Sequence, residues 1–376
     1  SSISKNVLQR CRTVHLVRGR VAKANMRDSF VIGNQSIPRR SRILIELPLP
    51  PLYTHTPLSL PVHVFRGAKD GPRLFVCAAI HGDELNGMEI IRRLLKQPAL
   101  KRLRGTLVAV PIVNVYGLLH HSRYLPDRRD LNRSFPGSEK GSLAARVAHL
   151  LMTEIVDKCT HGIDLHTGAI HRSNLPQIRA NLDDEETARL ATDFGVPVLL
   201  NANLRDGSLR EAAARHGIPM LLYEAGEALR FDEVAIRAGV KGIINVMRTM
   251  EMLPASRARR KKHRDPFVAR SSTWIRASAS GLFRKVCSLG SRVKRGEVIG
   301  LVDDPFGGSE FEVVSTASGI IIGCAEIPLV HEGEALFHVA RFEDVKEVAG
   351  QVESFQSLHT PEDDTATIVD DEPPIV

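Results

Sequence analysis

The chain has 376 residues, of which 43% are hydrophobic, and its formal net charge is +8; this is enough material for one large domain and a smaller one. No apolar stretch is long enough to span a membrane, and the N-terminus has no signal-peptide apolar region. The five cysteines are dispersed and lack C-x-x-C spacing, which argues against a disulfide framework and favours reduced thiols in the cytoplasm.

Apolar runs alternate with amphipathic runs between residues 46 and 254. The apolar runs are typical of buried strands and lie at 60–66, 74–80, 106–112, 161–166, 197–200 and 218–224. Runs with helical spacing lie at 84–96, 142–158, 183–194, 208–216 and 232–252. This alternation predicts an α/β domain with a parallel or mixed sheet over 46–254, preceded by an N-terminal extension at 1–45.

Two candidate metal ligands follow the apolar run at 74–80. His81 and Glu84 lie between this predicted strand and the next helix, so a strand-to-helix turn can point both at one spot. His166 ends another apolar run and should project from the carboxyl edge of the same sheet, where open α/β sheets bind ligands. Two imidazoles and one carboxylate often hold a catalytic zinc, so we predict one zinc ion per chain. For Asp164, two residues before His166, two interpretations stay open: a side chain on the opposite face of the sheet, or a supporting role beside the metal ligands.

The segment at 121–137 contains proline, glycine and many charges without a sustained period, which predicts a loop. Its arginines fit either a solvated surface or a loop that recognises a carboxylate, because the planar guanidinium matches carboxylate geometry. These residues alone do not decide between the two interpretations.

A third polar position follows the apolar run at 218–224, which ends in a carboxylate. Glu224 beside a metal-activated water could act first as a general base and then as a general acid. Taken alone, Glu224 is typical of a surface acid at a strand end, and Glu227 is a competing candidate for the base.

Together these motifs resemble the succinylglutamate desuccinylase/aspartoacylase family, a branch of the zinc carboxypeptidase-like hydrolases. The resemblance covers about residues 40–345. The family's His-Gly-x-Glu pair matches His81 and Glu84, and its later metal-binding histidine matches His166. The resemblance therefore implies a mixed-sheet zinc carboxypeptidase-like domain.

The remaining family motifs imply roles for four further residues. The Asp-Leu-Asn-Arg motif ends at Asn132 and Arg133, which would hold the carboxylate end of the substrate. The Arg-Tyr motif begins at Arg123, which would polarise the scissile carbonyl, and the catalytic Glu-x-Gly motif begins at Glu224.

Three departures from the family pattern qualify these roles. The family often has asparagine at the position of Asp83, so Asp83 receives no functional role. The stretch between Tyr124 and Asp130 is longer than in aspartoacylases, and Arg128 or Arg129 could take the role of Arg123. No segment matches the family's acyl-chain pocket, which leaves the acyl group open.

The sequence changes in character after residue 254. A basic run at 255–266 could bind nucleic acid, but no aromatic platform accompanies it, so we interpret it as a solvated linker. Residues 267–347 are rich in valine, isoleucine and glycine and predict a small all-β domain that resembles a biotinyl/lipoyl-type sandwich. The stretch at 315–318 has no lysine, which argues against a carrier and favours a packing, lid or assembly role. We expect the acidic tail at 348–376 to be disordered.

These observations predict a cytoplasmic zinc-dependent hydrolase that cleaves the amide bond of an N-acyl amino acid or a related small amide. The positive net charge would attract a small anionic acyl amino acid. One alternative is a metallocarboxypeptidase acting on short peptides, and another is a non-catalytic metal-binding or assembly protein. Whether the chain forms a homo-oligomer stays open.

Overall fold

The computed structural model describes residues 30–202, 204–255, 266–269, 271–342 and 345–361. The helices in these ranges are α1 (Asn86–Leu95), α2 (Val115–Leu119), α3 (Leu143–Glu154), α4 (Glu185–Phe194), α5 (Leu209–Arg215), α6 (Glu233–Thr249) and α7 (Val345–His359). The strands up to residue 227 are β1 (Phe30–Ile32), β2 (Gln35–Ile37), β3 (Ser41–Leu49), β4 (Leu58–Arg66), β5 (Arg73–Ala78), β6 (Thr106–Val110), β7 (His161–Gly168), β8 (Arg172–Ala180), β9 (Val198–Asn201) and β10 (Met220–Glu227). The later strands are β11 (Phe267–Ala269), β12 (Ser271–Arg276), β13 (Gly281–Lys285), β14 (Arg292–Val293), β15 (Val298–Asp303), β16 (Glu310–Val314), β17 (Gly319–Ala325), β18 (Leu329–Val330) and β19 (Ala335–Arg341).

The centre of the molecule is a 13-stranded mixed sheet, which confirms the predicted α/β class. Its main path runs β12-β19-β17-β8-β10-β7-β5-β6-β4-β3. Strands β10, β7, β5 and β6 are parallel neighbours, whereas β8 lies antiparallel to β10 and β4 antiparallel to β6. Because β5, β7 and β10 are parallel, their carboxyl ends meet at one edge of the sheet.

Helices cover both faces of this sheet because successive strand residues point to opposite sides. Along β5, Leu74 and Val76 pack in a core with α1, α4 and α6. Phe75 and Cys77 pack on the other face, in a core with α2, α3 and α5. The continuous apolar run predicted as a buried strand is thus buried on both sides.

The C-terminal β region is present, but it is not the separate unit expected over 267–347. Strand β17 pairs antiparallel with both β8 and β19, and β12 pairs with β19, so these strands extend the central sheet. A four-stranded sheet, β16-β15-β13-β18, packs over them around a shared apolar core that includes Phe283 and Phe337. The likeness to a biotinyl/lipoyl-type sandwich remains a prediction.

Two expected boundaries differ from the structure. Helix α7 occupies 345–359, so the first part of the expected tail at 348–376 is helical, and Val348 and Val352 are buried in an apolar cluster with β17. Strand β3 begins inside the expected extension at 1–45 and pairs with β4 along its length. The remainder of the tail beyond 361 and nearly all of the basic linker lie outside the described residues.

No helix in the described part of the chain is both long and apolar enough to cross a membrane.

Candidate metal and active site

The predicted metal ligands converge at the carboxyl edge of the central sheet. His81 and Glu84 lie on the turn between β5 and α1, and the Glu84 amide donates to the His81 carbonyl over 3.1 Å. Gly82 is needed inside this turn, because a Cβ there would lie 2.0 Å from the carbonyl carbon of Gly117 on α2. His166 comes from β7, the neighbour of β5 in the sheet. The close contact between this turn and α2, together with the parallel strands β5 and β7, therefore positions the three side chains.

The three side chains form a compact, buried cluster whose ligand atoms lie within 4.8 Å of one another. His81 Nδ1 lies 2.6 Å from Glu84 Oε1, and His166 Nδ1 lies 2.8 Å from Glu84 Oε2. The two imidazole rings have centroids 5.0 Å apart. Both histidines thus present the same ring atom, Nδ1, to the two oxygens of one carboxylate.

The opposite nitrogen of each imidazole faces another carboxylate. His166 Nε2 lies 2.7 Å from Asp164 Oδ2, and His81 Nε2 lies 3.2 Å from Asp130 Oδ1. If each Nε2–H donates to its carboxylate, each neutral ring directs the Nδ1 lone pair at Glu84. Lone pairs facing a carboxylate require a cation between them, and a divalent metal satisfies that requirement. The donor set of this cluster therefore fits a metal ion.

The charges around the cluster agree with a bound cation. Burial lowers the pKa of His166, but Asp164 and Glu84 outweigh burial and raise this pKa well above its ordinary value. Burial raises the pKa of Glu84, yet the neighbouring His81 and His166 lower it far below its usual range. Positive charge is thus stabilised at the imidazoles and negative charge at the carboxylate. A metal ion would supply the same positive charge without protonation of the rings.

Of the two interpretations that the sequence leaves open for Asp164, the structure supports the one beside the metal ligands, because Asp164 contacts His166 and does not point to the opposite face of the sheet. Residues two apart on a strand share a face, so Asp164 and His166 both lie beside the cluster. The second oxygen of Asp164 accepts a hydrogen bond from the Cys77 thiol on β5 over 3.3 Å. Cys77 was not singled out in the sequence, because only the pairing of β5 with β7 brings it to Asp164.

Arg123 reaches the cluster, whereas Arg128 and Arg129 do not line the cavity that contains it. The Arg123 guanidinium donates to Asp130 Oδ2 over 2.9 Å and lies 3.2 Å from His81 Nδ1. Asp130 thus holds both His81 and Arg123 in place. Arg129 is exposed, and its Nε lies 3.9 Å from a carboxylate oxygen of Asp127.

The predicted substrate loop also reaches this cavity. The Asp130 side chain accepts from the amide of Asn132 over 2.8 Å, which begins a short 3-10 helix at Leu131–Arg133. Asn132 Oδ1 accepts from the amide of Leu209 over 3.0 Å, and this bond joins the loop to the first turn of α5. Asn132 and Arg133 both line the cavity, so the structure brings the loop and the metal cluster together.

Glu224 and Glu227 occupy different environments. Glu224 pairs with His166 in the β10–β7 register and lines the cavity, where Arg179 Nε lies 2.6 Å from its Oε2. A register shift follows at Gly226, which has a φ of +75°. Beyond the shift, Glu227 accepts from the amide of His171 over 3.1 Å and does not line the cavity. Arg179 was missed in the sequence because β8 was not predicted as a strand.

The cavity has a volume of about 1100 Å³ and extends from the metal cluster to the C-terminal β region. Trp274 on β12 and His338 on β19 belong to its walls. The pairing of β17 with β8 brings these strands to the site. No sequence pattern indicates that pairing, because the paired segments are more than 130 residues apart.

The fold and this cluster define an α/β protein with a two-histidine, one-carboxylate ligand set at the carboxyl edge of a mixed sheet. The family model for the succinylglutamate desuccinylase/aspartoacylase catalytic domain matches residues 70–250, which include the cluster and Glu224. Residues 70–250 therefore match the catalytic domain of the succinylglutamate desuccinylase/aspartoacylase family, and the resemblance noted in the sequence is confirmed.

Individual relatives agree with this assignment. The N-alpha-acetyl-L-2,4-diaminobutyric acid deacetylase of Halomonas elongata is 30% identical over 144 residues, which are 37% of this chain and 42% of that protein. A succinylglutamate desuccinylase/aspartoacylase from Rhodobacter sphaeroides has a similar structure, with a TM-score of 0.72, 24% identity and coverage of 81% of this chain and 95% of that one. The product-bound ectoine utilization protein EutE (DoeB) from Ruegeria pomeroyi has a TM-score of 0.72 and 20% identity, and the match covers 80% and 94% of the two chains. At these identities the structural matches establish the shared fold.

Proposed function

We propose that this protein is a metal-dependent hydrolase that cleaves the amide bond of an N-acyl amino acid, with zinc held by His81, Glu84 and His166. The observation that carries the proposal is the buried three-ligand cluster beside Glu224 in an arginine-lined cavity. The family match and the deacetylase named among the relatives support the same reaction class.

The chain's own residues can perform the remaining steps of such a reaction. Zinc at this cluster would supply Lewis-acid polarisation of the scissile carbonyl and would acidify the attacking water. Glu224 accepts a proton from that water and delivers it to the leaving amine. Arg123, fixed by Asp130 next to His81, donates to the oxygen on which negative charge develops. Asn132 and Arg133 hold the carboxylate of the amino acid.

A substrate screen tests this proposal directly. The purified protein is assayed for amine release from N-acetyl amino acids, N-succinyl amino acids and short peptides, before and after metal removal. We expect metal-dependent hydrolysis of at least one acyl amino acid. Cleavage confined to peptides would instead identify a carboxypeptidase, and metal binding without any hydrolysis would identify a binding protein.

Replacement of Asp164 by asparagine should weaken metal binding by roughly 10- to 100-fold, because carboxylates behind metal-bound histidines fix the ring orientation and raise ligand basicity. Chelator competition at fixed pH measures the affinity. The control is Asp183→Asn, which changes an exposed aspartate outside the cavity. An affinity unchanged from the wild type would show that Asp164 has no influence on the metal.

Replacement of Arg133 by lysine should raise KM by about tenfold or more, because a lysine cannot reproduce the bidentate contact with a carboxylate. Metal content should not change. Amidation of the substrate carboxylate should impair the wild type severely and the variant much less, since the variant has already lost the contact. Four values of kcat/KM, for two proteins and two substrates, give the coupling energy between the Arg133 side chain and the substrate carboxylate. Equal losses in both proteins would mean that Arg133 only braces its loop.

A further inference from the structure

The metal ligands and the proposed base come from strands that are not all neighbours. His81 and Glu84 follow β5, whereas Glu224 lies on β10, and β7 separates these two strands in the sheet. A direct link between the turn after β5 and strand β10 must therefore cross the end of β7. Asn86, the first residue of α1 and two residues after Glu84, makes this link.

Asn86 is buried, with 1% of its surface exposed, and both polar atoms of its side chain contact the backbone of the segment after Glu224. Its Nδ2 donates to the Ala225 carbonyl over 3.3 Å, and its Oδ1 accepts from the Asp232 amide over 3.0 Å. One contact requires a donor and the other an acceptor, which a side-chain amide supplies and a carboxylate does not. Asn86 thus holds both the end of β10 and the residue that caps α6.

The Ala225 carbonyl belongs to the irregular part of β10 that follows Glu224. The register of β10 against β8 shifts between Glu224 and Gly226, and a Cβ at Gly226 would lie 2.4 Å from Asn86 Nδ2. A bulge in a strand changes the direction of the side chains around it. This agrees with the observation that Glu224 lines the cavity whereas Glu227, beyond the shift, does not.

Backbone contacts fix the loop beyond this bulge. The Leu229 amide donates to the Asp83 carbonyl over 2.8 Å, and the Ala228 amide donates to the Gly168 carbonyl over 3.0 Å. Both contacts lie after the register shift, on the side of α6. Among the described residues, the hydrogen bond that joins the metal-binding turn to the bulge itself comes from Asn86.

We propose that Asn86 is a positioning residue that sets the direction of the Glu224 carboxylate relative to the metal ligands. This inference rests on the proposed function, because that function gives Glu224 its role as the base. Asn86 does not line the cavity formed by the described residues and acts through the Ala225 carbonyl, next to Glu224. A displacement of a catalytic group by about 1 Å can lower a rate by about 100-fold, so a single hydrogen bond to the backbone can have a large effect on turnover.

Replacement of Asn86 by aspartate tests this role with almost no change in shape. An ionised aspartate still accepts from the Asp232 amide but cannot donate to the Ala225 carbonyl. We expect kcat to fall by about 10- to 100-fold, while KM changes by less than about twofold. KM is spared because Asn132 and Arg133, which hold the substrate carboxylate in the proposed function, lie on a separate loop. The metal content should not change.

Asn245→Asp is the matched control. Asn245 lies on α6, its Nδ2 donates to the Phe194 carbonyl over 3.5 Å, and it does not line the cavity. Its replacement removes a hydrogen bond of the same type away from the proposed site, so kcat should stay near that of the wild type. Asn86→Ser removes both contacts of Asn86 without a buried charge, which preserves the test if the aspartate variant folds poorly.

A second substitution separates positioning of the base from a general effect on the structure. In the Glu224→Gln protein, the side chain that Asn86 positions cannot accept a proton, so Asn86→Asp should lower the remaining kcat by less than about twofold. The four values of kcat give the coupling energy between positions 86 and 224. Equal losses with and without Glu224, a normal kcat in the Asn86→Asp protein, or loss of its metal would each overturn the inference.

Amide hydrogen exchange gives a readout that does not depend on activity. Mass spectrometry follows exchange in peptides that cover residues 224–232 in the wild type, the Asn86→Asp protein and the Asn245→Asp protein. We expect faster exchange in the Asn86→Asp protein alone, because the bulge has lost a hydrogen bond to the metal-binding turn. If the wild type hydrolyses no acyl amino acid, the deacylase has failed, yet this pattern still supports Asn86 as the residue that positions position 224. Equal exchange in all three proteins overturns the inference and leaves the deacylase intact.

Discussion

Replacement of Glu224 by glutamine should lower kcat by about 10²- to 10⁴-fold while the metal content stays unchanged, because an amide of the same shape cannot accept a proton. Glu224 lies beside His166 in the sheet register but is not one of the three clustered ligands. The variant should therefore separate proton transfer from metal binding. Steady-state kinetics and metal analysis of the same preparation measure both quantities.

Glu227→Gln is the matched control for this experiment. Glu227 lies on the same strand and contacts the amide of His171 outside the cavity, so its replacement should leave kcat near that of the wild type. Glutamine at position 224 also removes the ion pair with Arg179, and thermal unfolding of both variants checks that the fold is retained. An inactive Glu227 variant together with a normal Glu224 variant would reassign the base.

Alanine at His81 or at His166 should abolish tight metal binding and, with it, activity. The wild type should contain about one zinc ion per chain, and either substitution leaves only two of the three ligands. Elemental analysis after dialysis against a weak chelator measures the occupancy. His120→Ala is the control, because His120 is exposed after α2 and lies outside the cluster. Full metal content in both cluster variants would show that the metal is held elsewhere.

The sequence predicts those parts of the molecule whose hydrophobic pattern lies within one continuous segment of the chain. The run at 74–80 is apolar on both faces and precedes a helical pattern, so the turn that carries His81 and Glu84 follows directly. The long amphipathic α6 is predicted within a few residues for the same reason. In each case the residues that define the element are neighbours along the chain.

The rest of the site depends on contacts between distant segments. Arg179 meets Glu224 because β8 pairs with β10, and Trp274 reaches the cavity because β17 pairs with β8. Antiparallel pairings of this kind leave no spacing rule in a single sequence. The prediction for helix α7 was wrong for a different reason. Val348 and Val352 have helical spacing, but the acidic composition of the residues that follow led to the prediction of a disordered tail for the whole segment.

The continuity of the central sheet has a consequence for any attempt to isolate the catalytic segment. The family match ends at residue 250, yet the first residues of β8 pair with β17 and β9 pairs with β11. A shortened protein that ends near residue 255 would expose unpaired amide and carbonyl groups along both strands. Exposed strand edges of this kind are templates for intermolecular pairing, so such a fragment would tend to aggregate. The boundary of the catalytic sequence family and the boundary of the smallest soluble unit are therefore different positions in this chain.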